Sequence, residues 1–188
     1  MNQTDLRGMV RLCLIFFGIA LLIESLGAMV LMTRLIPLYG VPKGIWLSFF
    51  TSISAFCNAG FDLFGNFQSL TQLQQEPVIL LTLSCLIILG GLGFSVILEC
   101  FHHRFSPRAL SLHAKLVLLL TSILLFSGML MTFVLEYSNT LSSLSLGDKL
   151  ANSFFQSVTL RTAGFDSLNQ SALTDTSKLL GCVWMFIG

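Results

Sequence analysis

The chain has 188 residues, of which 54% are hydrophobic and only 10% charged, with a mean hydropathy of +0.85. A soluble domain needs more charge to cover its surface, so the composition is that of a membrane protein. The formal net charge of +1 leaves no basic stripe to neutralise phosphates, which argues against nucleic acid as a partner.

The first apolar run covers residues 12–32, about 20 residues, enough to cross a bilayer. It lacks a clear small-residue cleavage site, so it reads as a span and not as a signal peptide. Residues 44–56 form a shorter apolar segment containing Ser48, Thr51, Ser52 and Ser54. It is too short to cross, and reads as a re-entrant or buried helix. It ends in Asn58-Ala59-Gly60-Phe61-Asp62. A second span, 78–100, follows Pro77, and a third covers 116–135. Residues 150–160 are again short, apolar and hydroxyl-bearing, and lead into Thr162-Ala163-Gly164-Phe165-Asp166. A fourth apolar segment starts near Leu179 and runs to Gly188, too short to cross, which suggests that the C-terminus is not a natural boundary.

Ala-Gly-Phe-Asp therefore occurs twice, its glycines 104 residues apart (164 − 60), each time after a half-length helix and between long apolar segments. This internal repeat predicts an all-α membrane protein built of helix–pore loop–helix units. The first covers 1–112, with its pore loop at 44–65. The second covers 113–188 and is truncated, with its pore loop at 150–167.

Charge placement predicts an orientation. The connection 101–115 carries Arg104, Arg108 and Lys115 and no acid, and Arg7 and Arg11 flank the first span against Asp5. The opposite side holds Asp62, Glu76, Glu136, Asp148, Asp166 and Asp175 against Arg34, Lys43, Lys149, Arg161 and Lys178. By the positive-inside rule the N-terminus and the 101–115 loop are cytoplasmic, and both pore loops enter from outside the cell membrane.

Non-helical backbone at membrane depth is tolerated only where protein buries it or water reaches it. Glycine lets such backbone turn its carbonyls inward, and rings of carbonyl oxygens replace the hydration shell of potassium. The half-helices would aim their partially negative C-termini at the cation, and Asp62 and Asp166 would concentrate cations at the mouth. The competing reading of a single Ala-Gly-Phe is a glycine cap before an extracellular turn. Two copies in equivalent positions favour a pore.

These residues also resemble a known family. The run Ser54-Ala55-Phe56-Cys57-Asn58-Ala59-Gly60-Phe61-Asp62-Leu63-Phe64-Gly65 is similar to a pore loop of the Trk/Ktr/HKT potassium transporters, above all the bacterial Ktr-type (TrkH-like) membrane subunit. Ser157-Val158-Thr159-Leu160-Arg161-Thr162-Ala163-Gly164-Phe165 resembles the next pore loop, with Leu160 where proline is usual, and Gly90-Gly91-Leu92-Gly93-Phe94 resembles the helix after the first loop. The resemblance implies four repeats around one pathway, of which this chain holds the second and third. Asn58, Ala59, Gly60, Thr162, Ala163 and Gly164 would then contribute filter backbone. It also implies that further repeats complete the transporter, that two pores pair as a homodimer, and that a cytosolic nucleotide-binding (RCK-type) regulatory subunit binds below. The transported ion would be potassium, with sodium as a second possibility, and no covalently bound cofactor is expected.

Glu24 lies inside the first span, where a charge costs about 2.5–3.5 kcal/mol. It either helps hold a pore loop or cation pathway, or is hydrogen-bonded between helices for packing. Arg161 either donates to loop carbonyls and braces the filter, or snorkels at the mouth. Gly90, Gly91 and Gly93 read as close helix packing, with a hinge as the sharper reading. His102, His103 and His113 read as part of a solvated basic loop meeting lipid headgroups or a regulatory partner. Cys13, Cys57, Cys85, Cys100 and Cys182 have no metal-ligand spacing and mostly sit in apolar runs, as small buried hydrophobes would. No Ser/His/Asp set, phosphate-binding glycine loop, catalytic carboxylate pair or metal cluster can be assembled, so the chain reads as no enzyme. The alternatives are a secondary transporter of a small solute, with the loops forming a midplane site, and a non-transporting scaffold or inactive fragment.

Overall fold

The computed structural model describes residues 3–65, 68–102 and 110–187. They form seven α-helices: α1 Gln3–Tyr39, α2 Val41–Phe56, α3 Pro77–Leu92, α4 Phe94–His102, α5 Leu112–Glu136, α6 Leu146–Thr159 and α7 Asp175–Ile187. Single 3-10 turns sit at Thr71–Leu73 and Gln170–Ala172, and no strand occurs among the described residues. Val10–Tyr39 and Leu112–Glu136 are each long and apolar enough to cross a membrane, and the bent pair α3 and α4 makes a third span if counted as one.

α2 folds back along α1. The reversal needs Gly40, whose φ is 82°, a left-handed angle that other residues rarely adopt. Contacts then run antiparallel: a β-carbon on Gly44 would lie 2.7 Å from Ile36 Cα, while further on Ser52 meets Gly27 and Glu24. α6 folds back on α5 in the same way, from Lys149 beside Tyr137 to Ser157 beside Leu125 and Gly128.

The two hairpins share a joint. Ser52 Oγ donates to the Glu24 carbonyl at 2.7 Å, and a β-carbon on Gly27 would sit 2.8 Å from that hydroxyl. Ser157 Oγ donates to the Leu125 carbonyl at 2.8 Å, and a β-carbon on Gly128 would sit 2.4 Å from it. A serine on each half-helix thus docks over a glycine on the preceding span, which lets the backbones approach closely.

One apolar core joins both halves. Leu31, Leu47, Leu80 and Leu83 from the first half meet Leu125, Phe155 and Phe165 from the second. Outward faces are apolar too. Leu14, Phe17 and Leu22 on α1, and Leu119, Phe126 and Leu130 on α5, are exposed, as expected of helices that meet lipid.

The expected second span, 78–100, is not straight. α3 and α4 meet at an angle of 101° at Gly93, whose φ of 80° stops the helix. Two of the three glycines divide the work. A β-carbon on Gly90 would lie 1.9 Å from the Phe56 carbonyl oxygen, so Gly90 serves close packing against the end of α2, while Gly93 makes the bend. The other spans start earlier than the apolar runs suggest, since helices continue through polar residues: the first extends over Gln3–Tyr39 and the last starts at Asp175.

His113 lies in the first turn of α5 and not in a loop, His102 ends α4, and His103 falls outside the described residues. Of the cysteines only Cys100 is buried; Cys13, Cys57, Cys85 and Cys182 are exposed and free, which corrects the expectation of buried thiols. Cys13, Cys85 and Cys182 lie on outward helix faces, whereas Cys57 sits in the loop after α2.

Candidate functional site

Both half-helices end in a loop of unusual backbone. In the first, Asn58 has φ 50° and Gly60 has φ 71°; in the second, Thr162 has φ 66° and Gly164 has φ 81°. Ala59 and Ala163, between them, are not among the residues with positive φ. Left-handed and ordinary residues therefore alternate at the same positions of both copies. For a β-branched residue such as Thr162 this region costs about 1–3 kcal/mol, and persists only where the surroundings over-determine it.

What holds each loop is a hydroxyl in the last turn of its helix. Ser54 Oγ donates to the Phe61 carbonyl at 2.8 Å, and Thr159 Oγ1 donates to the Phe165 carbonyl at 2.6 Å. Backbone closes the inner side: Ala59 N–H reaches the Ser54 carbonyl at 2.9 Å, and Ala163 N–H the Thr159 carbonyl at 3.1 Å. The second loop does the same with one residue fewer between the hydroxyl-bearing residue and the alanine.

The loops meet. A β-carbon on Gly60 would fall 2.6 Å from the Ala163 carbonyl oxygen and 2.9 Å from Gly164 Cα, and one on Gly164 would fall 3.3 Å from Gly60 Cα. All six residues singled out in the sequence thus belong to two adjoining loops. The phenylalanines differ: Phe61 is 68% exposed and Phe165 fully buried. A groove of about 460 Å³ opens on the second loop, lined by Thr159, Thr162, Gly164 and Asp166 among others.

Past each glycine stands an acid, Asp62 in the first loop and Asp166 in the second. Burial pushes the Asp166 carboxyl above the ordinary aspartate value; a hydrogen bond from Gln170 opposes this, and the charge of Asp62 adds to it. Asp62 Oδ1 accepts the Phe64 N–H at 3.2 Å. Asp166 is tied to the first half through its backbone: its N–H meets Ser69 Oγ at 3.2 Å, and its carbonyl takes the Leu70 N–H at 2.9 Å.

Glu24 and Arg161 occupy related places. Cys57 and Arg161 each stand three residues before a loop glycine and reach toward the preceding span. Cys57 Sγ lies 3.9 Å from Glu24 Oε1, and Arg161 Nη2 donates to Thr121 Oγ1 at 3.3 Å. Glu24 is buried beside the first loop. The hydrogen bond of Arg161 goes to α5 and not to a loop carbonyl, and its Nε is buried without a partner. Asn58 Oδ1 is likewise buried and unpaired.

The sequence reading counted Glu136 only as a charge. It is fully buried, and its carboxylate accepts hydrogen bonds from Asn139, Thr140, Thr174 and Ser177. Thr174 and Ser177 lie 38 and 41 residues away, and no local pattern announces them. A buried acid at a span end was the one available signal.

A match to the TrkH family, described as "Cation transport protein", covers residues 2–188. The chain is 40% identical to the Ktr system potassium uptake protein B of Bacillus subtilis (strain 168), over all of this chain and 42% of that protein. It is 38% identical to the Ktr system potassium uptake protein B of Vibrio alginolyticus, and 37% to the Potassium/sodium uptake protein NtpJ of Enterococcus hirae, each time over all of this chain and 41% of the relative. The chain therefore spans about two fifths of the length of these relatives. With the match running over nearly its whole length, the chain belongs to the TrkH family of cation transport proteins.

Proposed function

We propose that this chain supplies two pore-loop segments to the ion pathway of a potassium uptake system. A dehydrated potassium ion passes the backbone carbonyls of Asn58–Gly60 and Thr162–Gly164. Sodium is a second possible cargo, as the name of the Enterococcus hirae relative suggests for that protein. The observation that carries this reading is the contact between Gly60 and Gly164, each in a loop where left-handed backbone recurs at the same two positions. Such alternation turns successive carbonyls toward one side, the arrangement that can replace water around a cation. The C-terminal ends of α2 and α6 lead into these loops and add partial negative charge.

In this reading Asp62 and Asp166 form an acidic mouth, and Glu24 and Arg161 hold the two loops against α1 and α5. The repeats cover 1–112 and 113–188, and further segments, from additional repeats or a second copy, close the ring. The N-terminus and the 101–115 connection face the cytoplasm of the cell membrane. Pairing of two pores and a cytosolic nucleotide-binding regulatory subunit follow from the same reading. The relatives' names as potassium uptake proteins support it.

Tracer rubidium uptake in cells lacking other potassium uptake, expressing the transporter that contains this chain, tests the proposal. Competition by potassium at far lower concentration than by amino acids, sugars or other organic solutes is the expected outcome. Competition by an organic solute with indifference to potassium would replace it with a solute transporter.

A further inference from the structure

The Glu136 carboxylate has an unusual setting. It is completely buried at the end of α5, yet no lysine or arginine lies within salt-bridge distance among the described residues. Its two oxygens serve different parts of the chain. Oε2 accepts from Asn139 Nδ2 at 2.7 Å and Thr140 Oγ1 at 2.9 Å, both in the connection that leads into α6. Oε1 accepts from the Thr174 N–H at 2.9 Å, Thr174 Oγ1 at 2.8 Å and Ser177 Oγ at 2.6 Å, all at the start of α7. Asn139 spans the same gap, its amide also donating to the Ala172 carbonyl at 2.8 Å.

Every neighbour is a donor, which is what an acceptor-only carboxylate requires. Burying a charge is tolerable only when such bonds replace water, and removing the acceptor leaves several donors unpaired. The strap 166–174, which carries the chain from the second loop to α7, is thereby pinned at its far end. It is pinned midway by Gln170, which exchanges hydrogen bonds with Gln156 of α6 at 3.2 and 3.3 Å. The corresponding part of the first half has no such acid: the last turns of α1 contribute buried Leu31 and Leu35 to the apolar core.

We infer that Glu136 is a positioning residue for the second pore loop, setting ion discrimination by fixing where the strap behind Gly164 is anchored. This rests on the reading of that loop as a filter. The carboxylate touches no ion. It holds the entry to α6 and the exit to α7 in one register, so that the loop between them cannot widen.

The test is potassium and sodium uptake by the transporter containing this chain, with its amount in the membrane measured alongside, for Glu136→Gln, Thr174→Val and Gly164→Ser. Glutamine keeps the shape of Glu136 but turns one acceptor into a donor facing donors. The expected result is a fall in potassium-over-sodium discrimination of about tenfold in Glu136→Gln and severalfold in Thr174→Val, at wild-type abundance. A merely structural role would lower abundance and leave the ratio between ions untouched. If Glu136→Gln does not accumulate, Thr174→Val decides alone. Unchanged discrimination in these variants while Gly164→Ser loses it would overturn the inference and leave the filter standing. Unchanged discrimination in Gly164→Ser would remove the filter reading, and the inference with it.

Discussion

Gly60 and Gly164 touch backbone to backbone: a β-carbon on the first would lie 2.9 Å from Cα of the second, and 2.6 Å from the carbonyl oxygen of Ala163. Residues 104 positions apart (164 − 60) in the chain thus meet where two half-helices end. Gly60 has no room for a side chain and Gly164 only a tight fit at 3.3 Å, and both have left-handed backbone.

A hydroxyl behind each loop braces it. Thr159→Val keeps the shape of the side chain and leaves the buried Phe165 carbonyl without its donor, a loss of about 1–3 kcal/mol. Ser54→Ala does the same to the Phe61 carbonyl, which lies on an exposed residue that water can reach, so its effect is smaller. Thermal stability of the detergent-solubilised transporter should fall more for Thr159→Val than for Ser54→Ala. The reverse order would contradict the assignment of Thr159 as the buried brace.

Gly90 presses on the end of the first half-helix. A β-carbon there would meet the Phe56 carbonyl at 1.9 Å, which no small adjustment accommodates, while one on Gly18 meets nothing within 4 Å. Gly90→Ala should cost roughly 1–3 kcal/mol or more and reduce the amount of protein in the membrane. Gly18→Ala should match wild type. Equal membrane levels for the two would show that α3 does not pack against α2 this tightly.

Those same glycines show where sequence reading stops. The two half-helices were legible because an apolar run too short to cross, rich in Ser and Thr, is distinctive, and the pairing of the loops was legible because Ala-Gly-Phe-Asp recurs. That Gly90 packs and Gly93 bends was not. Both sit in one glycine run, and only the neighbourhood of Phe56 tells them apart. The serine-over-glycine joints, Ser52 on Gly27 and Ser157 on Gly128, depend on helices folding back, which spacing along the chain does not encode. The partner of Arg161 was hidden for a like reason: Thr121, which its Nη2 reaches on the span, lies 40 residues away in the chain. The setting of Glu136 is hidden because its donors come from two separate segments.

The acidic mouth proposed for Asp62 and Asp166 should give uptake a pH dependence. Burial raises the Asp166 carboxyl above the ordinary aspartate value, and Asp62 adds to the rise against the hydrogen bond from Gln170. On acidification outside the cell, Asp166 therefore loses its charge at a higher pH than an ordinary aspartate, and cation uptake falls with it. Because the folded-state value is raised, ionisation opposes folding above it and protonation relieves that strain. The loss should thus be reversible and not reflect unfolding. Asp62→Asn removes the like charge and should move the inflection of the uptake–pH profile to lower pH. An inflection that stays in place or rises would disconnect Asp62 from Asp166.

Potassium against sodium uptake, measured for Gly60→Ser and Gly164→Ser in the transporter that contains this chain, tests most directly whether the two loops select the ion. Both variants should reach the membrane and lose discrimination against sodium, Gly60→Ser the more severely, since its β-carbon meets backbone at 2.6 Å where that of Gly164 has 3.3 Å. Wild-type discrimination in both would contradict a filter built from these loops.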